Sequence, residues 1–191
     1  MGKQKKHNLK WIKETLALKP NHHWQASPGY KLFVAGRGAV RFEVPQDWFF
    51  EPDTKSFRFL DRKPPNDDCR LEASFNLLPP ADWRNFPLAQ ALADVVEHDE
   101  RHILSKGEII TLDRQTANIV WTEFKFLDPQ DNREAYSRIC VGLGSGVQCL
   151  ITFDYWVDDA DRLTPVWDTV LRSLILGLYV SDPTTGAALP D

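Results

Sequence analysis

Alternation of apolar and polar positions dominates the chain between Cys69 and Val157. Cys69, Leu71, Ala73, Phe75 and Leu77 point one way, and Arg70, Glu72, Ser74 and Asn76 the other. That period-two pattern predicts a strand with one buried face. Four more strands are predicted over 108–112, 117–127, 133–143 and 146–157. A 3.6-residue period over 87–103 (Leu88, Leu92, Val95, Val96, Ile103) predicts a helix that opens on Pro87 and stops before Gly107. A second helical stripe, Val166, Trp167, Val170, Leu171, Leu174 and Ile175, begins near Thr164 with Pro165 at its first position and ends at Gly177. Upstream, 30–35 and 39–44 flank Gly36-Arg37-Gly38, and 48–51 and 56–60 flank Pro52-Asp53-Thr54. Both pairs read as hairpins.

The pattern sets a fold class. Strands 133–143 and 146–157 meet at Gly144-Ser145, which suits a two-residue type II′ turn. That turn pairs Cys140 with Cys149, Ile139 with Leu150 and Tyr136 with Phe153. Ile139 and Val141 then share one face, and Ile151 and Phe153 the other. A sheet that is apolar on both faces needs cover on both. The expectation is an α+β protein, an antiparallel β-sheet sandwiched between helices. Residues 1–29 read as a basic arm with a short amphipathic helix over 8–18 and a linker. Residues 30–178 read as the domain, and 179–191 as a disordered tail.

Length and charge narrow the possibilities. The 191 residues suffice for one domain with appendages. The net charge is −4, yet residues 1–20 hold six lysines against Glu14 alone, a net +5. The remainder is therefore acidic, which argues against nucleic acid as a partner. No run approaches the ~20 apolar residues of a membrane span, and the charge-interrupted start does not read as a secretory leader. With three cysteines, an odd number, no disulfide framework is indicated. A cytoplasmic setting is expected.

One resemblance follows from the order of elements. A strand closing in Phe42-Glu43-Val44-Pro45-Gln46-Asp47-Trp48 leads to a hairpin with Phe57-Arg58-Phe59. Then come a strand, a helix, several antiparallel strands and a terminal helix containing Pro165-Val166-Trp167. Over 30–178 this resembles the superfamily of the photosystem II extrinsic protein PsbP and the Ran guanine-nucleotide release factor. The resemblance implies an antiparallel sheet between helices, and binding rather than catalysis. None of that superfamily's GTPase-contacting or metal-binding residues is carried onto this chain.

Candidate chemistry is sparse. His98 and His102 would lie at i,i+4 on one helix face, a spacing that can hold zinc. The same stretch also reads as a solvated face with Asp94–His98 and Glu97–Arg101 pairs. Facing cysteines at 140 and 149 would suit either a redox pair or two packed, reduced thiols. Gly36-Arg37-Gly38 and the glycines of 142–146 read as turns rather than phosphate loops. Asp158, Asp159 and Asp161 offer only part of a calcium shell.

These readings favour a non-catalytic module that binds a protein partner as adaptor or assembly factor, with no cofactor and no catalytic residue. Its contact residues are sought among Lys6, Lys10 and Trp11 of the arm and among Trp48, Trp83, Trp121 and Trp156 of the domain. Two alternatives stand beside it. One is a metal- or small-ligand-dependent enzyme using His98 and His102. The other is a membrane-surface assembly factor held by residues 1–20.

Overall fold

The computed structural model describes residues 17–189 apart from Thr54 and Arg84. The first hairpin joins β1 (Tyr30–Ala35) to β2 (Val40–Pro45). The second joins β3 (Phe49–Pro52) to β4 (Phe57–Leu60). Strand β5 (Cys69–Leu77) follows, then helix α1 (Leu88–Glu97) and strands β6 (His102–Lys106), β7 (Ile110–Asp113), β8 (Asn118–Asp128), β9 (Arg133–Gly144) and β10 (Val147–Trp156). Helix α2 (Ala160–Ser173) precedes three short strands, β11 (Ile175–Leu176), β12 (Val180–Asp182) and β13 (Ala187–Ala188).

Eight strands form one antiparallel sheet in the order β3-β4-β5-β10-β9-β8-β6, with β7 also on the outer edge of β8. The period-two run from Cys69 onward thus forms one continuous layer, as its alternation requires. The β1–β2 hairpin does not join that layer. It forms a second sheet, β1-β2-β11, stacked with α2 on one face of the large sheet. Helix α1 covers β8 and β9 on the opposite face. The architecture is an antiparallel sheet flanked by helices on both sides.

Two cores result. The larger buries Phe42, Phe59, Trp48, Phe153, Ile151 and Trp167, with Trp167 stacked on Phe153 at 6.1 Å. The smaller packs Leu88, Leu92 and Val96 of α1 on Val120, Phe124, Ile139 and Val141. The split follows side-chain parity. Odd positions of β9 face α1, and even positions face α2.

Several elements differ from their sequence expectation. The β9–β10 turn is Ser145-Gly146, with φ of 49° and 71°, so both central residues are left-handed as in a type I′ turn. Gly144 pairs with Val147, Cys140 with Ile151, Ile139 with Thr152 and Tyr136 with Tyr155. The register has slid by two residues, which preserves the buried faces while changing every partner.

Helix α1 stops at Glu97 rather than running to 103. Asp99 accepts from the Arg101 backbone N–H at 3.0 Å and from its guanidinium at 2.8 and 2.7 Å, folding the chain out of the helix. Arg101 in turn lies over Phe124 and Phe126 at 4.9 and 4.5 Å. The following residues become β6, a strand absent from the sequence reading.

Helix α2 begins at Ala160, so Pro165 lies inside it, and it ends at Ser173. Leu174 turns extended and Ile175–Leu176 pair with β2, although Leu174 is as buried as the helical stripe predicts. The stop has identifiable causes. Ser173 Oγ accepts from the Glu43 N–H at 2.8 Å. Arg114 donates to the carbonyls of Leu171 at 2.5 Å and Leu174 at 2.9 Å. A cation is thereby placed where the helix dipole is negative.

The chain ends also depart from expectation. Residues 179–189, expected to be disordered, form the β12–β13 hairpin with Val180 buried. The expected linker is tied to that hairpin. Lys19 N and His23 N donate to Thr184 O and Thr185 O at 3.1 and 2.7 Å, and Trp24 Nε1 donates to Pro183 O at 2.8 Å. Gly186, at φ 73°, lies under the Trp24 ring, where a Cβ would come within 2.8 Å. Lys19 Nζ meets Asp182 at 2.8 Å. Hydrogen bonds from Lys19 and Thr184 hold the Asp182 carboxyl down at about 2.

Two outcomes are expected. Arg114→Ala removes the cap of α2 and lowers stability by about 2 kcal/mol, read as a Tm drop of roughly 4–8 °C. The Asp182 carboxyl is depressed when folded, so its contribution is full above the ordinary carboxylate range of ~4 and fades as pH falls toward about 2. Protection of the Trp24 indole N–H from exchange follows that window. In Asp182→Asn it is already reduced at neutral pH.

Candidate binding surface

The described residues among those singled out from sequence do not converge on one spot. Lys6, Lys10 and Trp11 lie outside the described residues. Trp48 is 6% exposed and packs on Phe153, so it belongs to the core. Trp83, Trp121 and Trp156 are half-buried. Arg133 stacks on Trp156 at 4.7 Å. His98 and His102 do not share a helix face. His98 caps α1 with Nδ1 2.7 Å from Asp94 O, and His102 pairs with Leu127 in the sheet. Among the described residues, no group of three or more His, Cys, Asp or Glu is placed to hold a metal.

The cysteines are buried and unpaired. Cys140 and Cys149 share a face as diagonal neighbours, each opposite another residue. Burial pushes the Cys140 thiol up to about 12, and raises Cys149 and Cys69 as well. Thiolate is the reactive form, so these side chains behave as core.

Polar groups inside the sheet serve structure. On the α1 side, Ser137 Oγ donates to Asp154 at 2.6 Å, with the Arg101 guanidinium 3.4 Å from the same oxygen. On the α2 side, Glu123 Oε2 accepts from Arg138 Nε at 2.6 Å and from the Tyr155 hydroxyl at 3.1 Å. Arg138 Nη2 donates to Thr164 Oγ1 at 3.1 Å. Burial raises the Tyr155 hydroxyl, so it stays protonated and donates. An arginine between two apolar stretches of β9, matched across β8 by Glu123, was the available signal for this pair.

Among the described residues, a concave surface forms where three connections meet at an end of the large sheet. It is a cleft of about 280 Å³ lined by Trp83, Arg114, Thr116, Asn118, Ser145 and Gly146, among others. Leu78 N donates to Gly146 O at 2.8 Å and holds the segment after β5 against the β9–β10 turn. Trp83 Nε1 donates to Pro79 O at 3.1 Å, and its ring meets Phe86 edge-on at 6.0 Å. Gly144 is required for closure, since a Cβ there would lie 2.3 Å from Thr116 O. Nearby, Leu77 and Phe86 are 65% and 40% exposed. Sequence reasoning singled out Trp83 but missed Leu77, Phe86 and Arg114. The fold alone brings Arg114 to Trp83.

The layers and strand order define a PsbP-like sandwich, the class that the sequence resemblance implied. CyanoP, the cyanobacterial PsbP of Synechocystis sp. PCC 6803, is similar to it, with a TM-score of 0.51 at 15% identity over 79% of this chain and 94% of that one. So is LpqN of Mycobacterium tuberculosis, a protein involved in cell envelope biogenesis, with a TM-score of 0.55 at 12% identity over 76% of this chain and 88% of that one. At such identities the likeness establishes fold alone. Residues 31–180 match the model of the Alr1449 family, and the chain belongs to that family. Alr1449 of Nostoc sp. (strain PCC 7120) is 67% identical over 192 residues, covering 100% of both chains.

Treatment of the folded protein with a thiol oxidant is expected to leave its electrophoretic mobility unchanged. All three thiols should then titrate only after denaturation. Formation of a Cys140–Cys149 disulfide would contradict the diagonal, fully buried arrangement.

Proposed function

We propose that this chain is a non-catalytic protein-binding module, an adaptor or assembly factor, and that its partner docks at the Trp83 cleft. The observation that carries this reading is a preformed concavity lined by half-buried Trp83, with exposed Phe86 against the Trp83 ring and exposed Leu77 next to Leu78, which is bonded to the Gly146 carbonyl of the lining. Aromatic side chains dominate interface energies when a partner excludes water from them. Groups of the kind that carry chemistry are taken up elsewhere: the thiols in the core, Glu123 by Arg138, and His98 at a helix end. Buried, unpaired thiols accord with a reducing, cytoplasmic setting.

The test is capture of a partner from native lysate on immobilised full-length chain, comparing wild type with Trp83→Ala and Leu77→Asp. Both variants should keep a cooperative melt while the specifically captured protein falls at least about tenfold, the ~1.4 kcal/mol or more of a contact residue. Equal capture by all three proteins would remove the cleft from consideration. A metal-dependent activity abolished in His98→Ala would replace the non-catalytic reading altogether.

A further inference from the structure

Two buried side-chain nitrogens beneath α2 have no hydrogen-bond partner among the described residues, Arg138 Nη1 and Trp167 Nε1. Their surroundings are otherwise satisfied. Arg138 gives its Nε to Glu123 and its Nη2 to Thr164. Thr164 precedes Trp167 by three residues, so the two side chains leave neighbouring positions on α2. The Arg138 guanidinium lies 5.8 Å from the centre of the Trp121 ring, and Trp167 meets that same ring edge-on at 5.7 Å. The two side chains that carry the unmatched donors therefore both border Trp121. A donor enclosed without a partner is strongly disfavoured, and folded proteins supply one from protein or solvent.

We infer that Arg138 Nη1 and Trp167 Nε1 form a binding site for one neutral hydrogen-bond acceptor, seated beside Trp121. Charge selects against an anion. Glu123, 2.6 Å from Arg138, already neutralises the guanidinium, and a second negative group would face that carboxylate in a low-dielectric setting. The Tyr155 hydroxyl is turned to Glu123 and brings no compensating charge. The occupant is thus an uncharged oxygen with free lone pairs. It belongs either to a water molecule or to the hydroxyl or amide carbonyl of a small ligand. The site is distinct from the Trp83 cleft and shares none of its lining residues.

A crystal structure of the full chain, combined with mass spectrometry of small molecules released on denaturation, tests this. The expected result is one density feature within about 3 Å of both nitrogens. An equimolar released compound identifies a ligand, and none identifies water. In solution, the Trp167 indole N–H, assigned by its loss in Trp167→Phe, should exchange slowly and show an Overhauser effect to long-lived water or ligand protons. Should Trp167→Phe not fold, the crystal structure of the wild type decides alone. Separate acceptors for the two nitrogens, a protein carbonyl or an anion in that position, or indole exchange as fast as an exposed tryptophan would each overturn the site.

Discussion

The stacking of Trp167 on Phe153 is the contact on which the larger core depends. Phe153 projects from β10, the central strand that pairs with both β5 and β9. Trp167 projects from α2, the element that also packs on β2. Trp48 reaches the same Phe153 ring from the chain after β2. One face of the large sheet, the second sheet and the final helix are therefore fastened at a single aromatic centre. Each of these buried side chains contributes about 1.5–3 kcal/mol, so the centre outweighs an exposed ion pair such as Lys19–Asp182.

Polar groups then decide how the layers end rather than whether they form. Arg114, in the turn between β7 and β8, caps α2 and also walls the Trp83 cleft. The same residue links helix termination to the shape of the candidate binding surface. Asp99 and Arg101 play the corresponding part at the other helix, turning the chain from α1 into β6. The Glu123–Arg138 pair lies against the α2 layer, where a charged pair is tolerable because its hydrogen bonds are directed.

The family assignment and the fold likeness bear on different questions. The Alr1449 family relation extends over 31–180, and a 67% identical relative spans the whole chain, arm included. The likeness to CyanoP and LpqN concerns the architecture alone. In this chain Trp83 and Phe86 lie in the connection between β5 and α1, and Leu77 closes β5.

By itself the sequence determined the layer plan. Alternation over Cys69–Leu77 specified the bounds of β5, and the parity of β9 and β10 placed Ile139 and Val141 in one core and Ile151 and Phe153 in the other even though the turn was misplaced. A two-residue slide leaves inside and outside unchanged, so local patterning cannot detect it. Tertiary structure decided what depends on partners distant in sequence: the end of α2 at the Arg114 cap, the end of α1 at the Asp99–Arg101 fork, and the clasp of Lys19–Trp24 on the carboxy-terminal hairpin. It also decided which tryptophans remain accessible. Trp48 and Trp83 each follow an aspartate, Asp47 and Asp82, and packing against Phe153 consigns one to the core while the other lines a cleft.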